Sequence, residues 1–228
     1  MSHRFSDFIL PAVLVLAMAA CSDSPRELVA KHTKRGDEYA AKEKFREAVI
    51  EYRNAAKADP KDGKTHWKLA QSLLKTRDFR GAYDELQKVA GLDPGNFEAK
   101  GKLGELYLSA GKLDEAQAIA DNLVASRPAD PQGHILKSGL ALKKGKVDEA
   151  VSSLRKAAEL DPKNFRPLLS LGNLAFLSQD RKGALEWFDK AVAIAPDAPE
   201  PRISRGNLFF STGDQVEGEK EYRKAISL

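Results

Sequence analysis

Two patterns of apolar and polar positions organise this chain. The first is a run of thirteen apolar residues from Phe8 to Ala20, preceded by Met1 to Asp7 and ended by Cys21. As a helix it would be about 20 Å long, short of the ~30 Å hydrocarbon core of a bilayer, so it predicts the hydrophobic part of a signal peptide. The second pattern starts at Val29 and repeats every 34 residues, with prolines at 60, 94, 128, 162 and 196 in one register. Counted from Val29, Gly63, Phe97, Pro131, Phe165 and Pro199, the twentieth residues are Ala48, Ala82, Ala116, Ala150, Ala184 and Gly218, all small. The eighth residues, Gly36, Ala70, Gly104, Ser138, Gly172 and Gly206, are small as well. Large residues recur at the eleventh and twenty-fourth places, among them Tyr39, Tyr107, Phe209, Tyr52, Phe188 and Tyr222.

Apolar residues spaced as Leu103, Leu106 and Tyr107 predict helix rather than strand. Gly111, Gly145 and Gly213 mark a break in mid-repeat, where a left-handed C-cap is useful. Asp59-Pro60, Asp93-Pro94 and Asp161-Pro162 close a second helix, because the residue before proline is pushed out of the α region. Each repeat therefore reads as two helices. Small residues at the eighth and twentieth places let the two approach closely, and the large ones fill the space between neighbours.

This register closely resembles the tetratricopeptide repeat, over residues 29–228, as five full repeats and 30 residues of a sixth without insertion. The resemblance implies an all-α, right-handed solenoid of six helix-turn-helix repeats. Departures from the pattern are Arg35, Lys137 and Arg205 at the seventh place, usually leucine. Arg35 suits a polar N-terminal cap, and the other two are expected to extend their long stems over apolar neighbours. Ala120 and Ala141 underfill their places, which predicts looser packing or a bend in repeats three and four. The last helix ends at Leu228 without a proline turn or a polar capping helix, so further repeats, or a molecule covering Tyr222, Ala225 and Ile226, are expected beyond it.

The segment Leu16-Ala17-Met18-Ala19-Ala20-Cys21 resembles the lipobox of bacterial lipoproteins, in which small residues admit the protease and the cysteine thiol takes the lipid. Met18 departs from the usual leucine. The layout this implies is a signal peptide over 1–20, lipidated Cys21 and a short tether over 21–28, and the solenoid over 29–228. The same leader also fits an ordinary secretory signal cut after Ala17-Met18-Ala19, or an uncleaved anchor. Ser22 follows the cysteine and Asp23 comes one later, which by the family's sorting rule favours the outer membrane, facing the periplasm.

Composition narrows this further. Hydrophobic residues are 42% and charged residues 31%, which excludes a polytopic membrane protein and argues against disorder. With one cysteine, neither an internal disulfide nor a thiolate metal cluster can form. A net charge of +4 spread over 37 basic and 33 acidic residues is solubility, not a nucleic-acid footprint. Clusters such as Lys143-Lys144-Lys146 lack the interleaved aromatics of a nucleic-acid site. His32, His66 and His134 share the fourth place of their repeats, where helices about 8–10 Å apart keep them from a common metal, so they are expected in the packing seam. Asp114-Glu115 and Asp148-Glu149 sit where a helix start favours acids. No phosphate loop, dinucleotide fingerprint or nucleophile elbow is present, so no enzyme activity, cofactor, metal or small-molecule substrate is expected.

In the tetratricopeptide family the second, fifth, ninth and twelfth residues of the first helix line a concave groove. The resemblance thus implies partner-binding roles for Lys64, Trp67 and Gln71, for Arg166, Leu169, Asn173 and Phe176, and for Ile203, Asn207 and Phe210. The asparagines would hold the backbone of an extended peptide, and Lys64 and Arg166 would meet an acidic partner. The alternative is that the twelfth-place apolar residues Leu74, Leu108, Leu142, Phe176 and Phe210 shield the seam between repeats. The expected function is a membrane-anchored periplasmic scaffold for a protein or peptide partner. Its layout looks like the start of repeat lipoproteins of exopolysaccharide and PEP-CTERM sorting loci. The alternative is an assembly factor similar to the six-repeat pilotins of type IV pili, whose partner is a secretin.

Overall fold

A computed structural model describes residues 24–228, so the leader and Cys21 lie outside the described residues. Repeat one comprises α1 (Pro25–Ala41) and α2 (Phe45–Ala58), and repeat two α3 (Gly63–Lys75) and α4 (Phe79–Leu92). Repeat three is α5 (Phe97–Ser109) with α6 (Leu113–Ser126), and repeat four α7 (Gln132–Lys143) with α8 (Val147–Leu160). Repeats five and six follow as α9 (Phe165–Leu177), α10 (Arg181–Ile194), α11 (Pro199–Ser211) and α12 (Gln215–Ile226). No strand occurs among the described residues. The expected all-α helix-pair solenoid is what the chain forms.

Helix starts follow from local chemistry. Ser24 and Glu27 form a reciprocal capping box with Pro25 in the first turn of α1. The helix therefore begins four residues before Val29, and Pro25 to Leu28 belong to α1 rather than to the expected tether. Asp78, Asn96, Asp180 and Asp214 accept the amide of the third residue of their helices.

All six mid-repeat turns share one geometry. Glu43, Arg77, Gly111, Gly145, Gln179 and Gly213, each the fifteenth residue of its repeat, have positive φ between 55° and 86°. The amide after each reaches back to the eleventh residue's carbonyl, from Lys44 to Tyr39 and Asp78 to Leu73 at 2.9 Å, and likewise in the other four. This is the six-to-one bond of a Schellman cap. Glycine signals it in only three repeats.

The small residues do what their spacing predicts. The five alanines of the twentieth place have no exposed surface, and Gly218 is buried. Gly36 and Gly172 lie so close to Tyr52 and Phe188 that a Cβ on either glycine would fall on the partner ring. The core is a series of small clusters instead of one centre. Ala48, Val49, Tyr52, Leu69 and Leu73 form one, Ala70, Leu86, Val89 and Leu103 the next, and Leu154, Leu168 and Leu171 a later one. Each joins only neighbouring helices, as in a quasi-one-dimensional stack.

Ala120 and Ala141 do not open repeats three and four to solvent. Both alanines are buried, and Ala120 sits in a cluster with Leu136 and Leu140 that Ile119, Tyr107 and Leu108 fill from the sides. On the first-helix side α5 and α7 touch: a Cβ on Gly101 would be 2.8 Å from Gln132, and one on Gly139 would be 2.5 Å from Leu108. Gln132 donates to Glu105 across this contact at 2.9 Å. Glycine on the facing sides of two helices has turned an underfilled seam into a pinch.

Candidate binding groove

The groove face is built by the first helix of each repeat, and these helices lie side by side. Lys68 of α3 bonds both oxygens of Asp37 on α1 at 2.7 Å, Gln132 joins α7 to α5, and α9 meets α11 directly.

At its N-terminal end the face is cationic. Arg26, Lys34, Lys64 and Lys68 border a hollow of about 460 Å³ between α1 and α3. Two acids there are already engaged: Asp62 caps α3 through the amide of Lys64 and the hydroxyl of Thr65, and Asp37 takes Lys68 and the Tyr52 hydroxyl. Arg26, Lys34 and Lys64 have no carboxylate partner among the described residues. The hydroxyl of Thr33, at the floor, is buried without a hydrogen-bond partner. This half of the groove can take negative charge. Trp67 is half-buried against the cluster of Ala70 and Leu86, while Gln71 is exposed.

The C-terminal end has a different surface. Asn173 and Arg166 are exposed, with Leu169 and Phe176 half-buried against Phe188 and Leu208. Ile203 is exposed, and Phe210 is 44% exposed while resting on Tyr222 at 5.5 Å between ring centroids. Asn207 is exposed, and its side-chain oxygen accepts the Tyr222 hydroxyl, which leaves its amide NH2 to face a partner. The twelfth-place residues divide between the two readings. Leu74, Leu108 and Phe176 pack against the seam, and Leu142 and Phe210 stand open to solvent. Of the residues expected on an exposed terminal face, only Ile226 is open, since Ala225 is buried and Tyr222 half-buried.

The polar residues of the helix interfaces were the least legible. His32 and His66 bridge the two helices of their repeats through Glu51, at 2.6 Å, and Glu85. His66 is buried and also reaches the Pro60 carbonyl at 3.0 Å. Repeat six replaces this pair with Arg202 and Glu221. The repeating fourth and twenty-third places carried that signal. His134 faces Lys137 and Lys156 rather than a carboxylate, and burial first, then these cations, hold its pKa below the ordinary range. Lys137 and Arg205 do more than extend their stems. Each pairs with the acid at the twenty-fifth place of the preceding repeat, Lys137 with Asp121 at 2.8 Å and Arg205 with Asp189 at 2.6 Å. Arg205 also holds buried Glu221 at 2.8 Å; burial opposes its charge, but the two carboxylates outweigh it and raise its pKa. Among the described residues no cluster of three His, Cys, Asp or Glu side chains is placed to hold a metal, and no helix is long and apolar enough to cross a membrane.

A stack of helix pairs whose first helices lie side by side defines a helix-pair repeat solenoid. Tetratricopeptide repeat models match residues 33–97 and 136–199, and another such model matches 73–140, so the chain belongs to the tetratricopeptide repeat family. Proteins of this family generally mediate protein–protein interactions. No curated protein matches the chain in sequence. Among solved structures, a tetratricopeptide repeat protein from Parabacteroides merdae superimposes with a TM-score of 0.78 at 17% identity, covering 87% of this chain and 78% of that one. PilW, a type IV pilus biogenesis factor, gives 0.70 at 16% identity over 86% and 90%. YrrB, described as having an unusual peptide-binding site, gives 0.53 at 19% over 73% and 86%. At such identities these likenesses concern the fold alone.

Proposed function

We propose that this protein is an envelope adaptor, tethered through acylated Cys21 to the periplasmic face of the outer membrane, that holds an extended segment of a partner protein along its first-helix face. The observation that carries the binding role is the unsatisfied chemistry on that face. Ile203 and Phe210 are exposed and Asn173 presents an exposed amide at one end, and at the other Arg26, Lys34 and Lys64 have no carboxylate partner among the described residues. Apolar side chains and a backbone-directed amide hold the body of a segment, and the cations select its acidic end. With α1 starting at Pro25, only Ser22 to Ser24 separate the cysteine from the solenoid. Such a link spans about 10 Å at most, so the groove works close against the bilayer, where a bound partner is concentrated.

The machinery we place first is exopolysaccharide or protein-sorting machinery, supported by the leader, the short tether and the uninterrupted register. A second reading, assembly of a pilus machine, is favoured by the close match in extent with PilW, of which this chain covers 90%. Cross-linking and recovery from solubilised envelopes decides between them: a pilus component recovered in amounts that fall with Asn173→Ala plus Phe210→Ser selects the second. Recovery unchanged by those substitutions removes the groove from the account. Palmitate labelling that persists in Cys21→Ser removes the lipid anchor.

A further inference from the structure

A slot lies where repeats two and three meet. The first two turns of α4 and the last turn of α5 enclose about 670 Å³, walled by Phe79, Tyr83, Leu106 and Ala110, with Arg80 and Lys112 at the rim. That volume is in the range of pockets that take a discrete ligand group. Phe79 is 55% exposed, far more than packing requires of a phenylalanine. Tyr83 meets Tyr107 edge to face, with centroids 5.6 Å apart, and Gln87 donates to the Tyr83 hydroxyl at 2.8 Å, which fixes that ring. Lys112 holds its ammonium 5.4 Å from the Tyr83 ring centre and 5.5 Å from that of Tyr107. It has no carboxylate partner among the described residues, and Arg80 reaches only Asp84, at 3.7 Å with both side chains exposed. The combination belongs to this junction: where Phe79, Tyr83, Tyr107 and Lys112 stand, the corresponding places one repeat later hold Leu113, Gln117, Ala141 and Lys146.

We propose that this slot is a second docking site, for a partner segment that inserts one large apolar side chain between Phe79 and Tyr83 and pairs a neighbouring carboxylate with Lys112. The walls are apolar and aromatic, so they reward a large hydrophobic group. The rim is positive and no acid lines the slot, so charge complementarity requires a negative flank. Lys112 is already ordered by two rings, which lowers the entropy lost when a carboxylate binds it. The site does not depend on the first-helix groove and stands or falls separately.

Two probes test it on the full chain. Phenylpropionate is expected to shift the ring resonances of Tyr83 and Tyr107, with Lys112→Ala weakening it about tenfold, the effect of losing one charge-assisted contact. Phenylpropanamide, which lacks the charge, is expected to bind weakly and with little difference between the two proteins. A random peptide library displayed on phage and selected on the protein should yield sequences with a large apolar residue within two positions of Asp or Glu. Those peptides should lose binding to Phe79→Ser and to Lys112→Glu, with Arg80→Glu as a further rim variant should Phe79→Ser fold poorly. Selected peptides that bind Lys112→Glu undiminished, or that carry no acid, overturn the proposal. So does a concentration-dependent dimer dissolved by Phe79→Ser, because the occupant is then a second copy of this chain.

Discussion

Gly172 lies against the Phe188 ring, whose Cδ1 and Cε1 occupy the place a Cβ would take. The pair joins α9 to α10 inside repeat five, where Phe188 has almost no exposed surface and cannot swing aside. Gly172→Ala is therefore expected to cost about 2 kcal/mol through overpacking, more than the helix propensity alanine brings. Gly91→Ala, in α4 with nothing within 4 Å of the new methyl, is expected to stabilise by about 0.5–1 kcal/mol. Urea unfolding of both variants checks the opposite signs; a stabilised Gly172→Ala would refute the contact.

The six matching turns predict a second pair of signs. Arg77 and Gln179 hold the left-handed conformation that Gly111, Gly145 and Gly213 adopt without strain. Arg77→Gly and Gln179→Gly should each stabilise by about 1 kcal/mol, and Gly111→Ala should destabilise by a similar amount. Melting temperatures of the three variants, compared under one condition, decide this.

Arg205 and Lys137 occupy the same place in their repeats but differ in burial. Arg205→Met removes the 2.8 Å contact to Glu221, which is 2% exposed, and leaves it only the longer one to Arg202 at 3.7 Å, so it is expected to cost about 2 kcal/mol. Combining it with Glu221→Gln should return much of that loss. Lys137→Met breaks only the more exposed pair with Asp121 and should cost about 0.5 kcal/mol. A double-mutant cycle that finds no coupling between positions 205 and 221 contradicts the buried network.

Tyr52 supplies a pH test. Burial first, then its hydrogen bond to the Asp37 carboxylate, pushes its phenol well above the ordinary tyrosine range. Since the folded pKa lies above the unfolded value near 10, the stabilisation from this group is complete below pH 10 and declines as pH rises beyond it. In an alkaline absorbance titration of the five tyrosines, Tyr52 should ionise last, together with unfolding, and Asp37→Asn should lower its pKa. Ionisation of all five in one step near pH 10 would contradict the bond.

Much of the fold was readable because it rests on residues whose size alone matters. Ala48 and Ala184 are diagnostic wherever they recur, since only a small side chain lets paired helices close. The turn geometry was half readable: glycine announced it at 111, 145 and 213, but Glu43, Arg77 and Gln179 adopt it under the demand of the flanking helices. The site was less legible, because family register places a residue on a face without saying what else it touches. Asn207 lies where Asn173 does, yet Tyr222, fifteen residues later, takes its oxygen. Phe79 repeats the place of Phe45, and Lys112 that of Lys44 and Lys146, but only the meeting of α4 with α5 sets them beside Tyr83 and Tyr107.

The serial arrangement of small clusters has a mechanical consequence. When force is applied between its two ends, tension passes through every repeat in turn, and no central core shares it. The weakest repeat gives way alone, releasing about 110 Å of chain from 34 residues at full extension. A solenoid of this design works as an extensible cable, whose length under load is set by its least stable link.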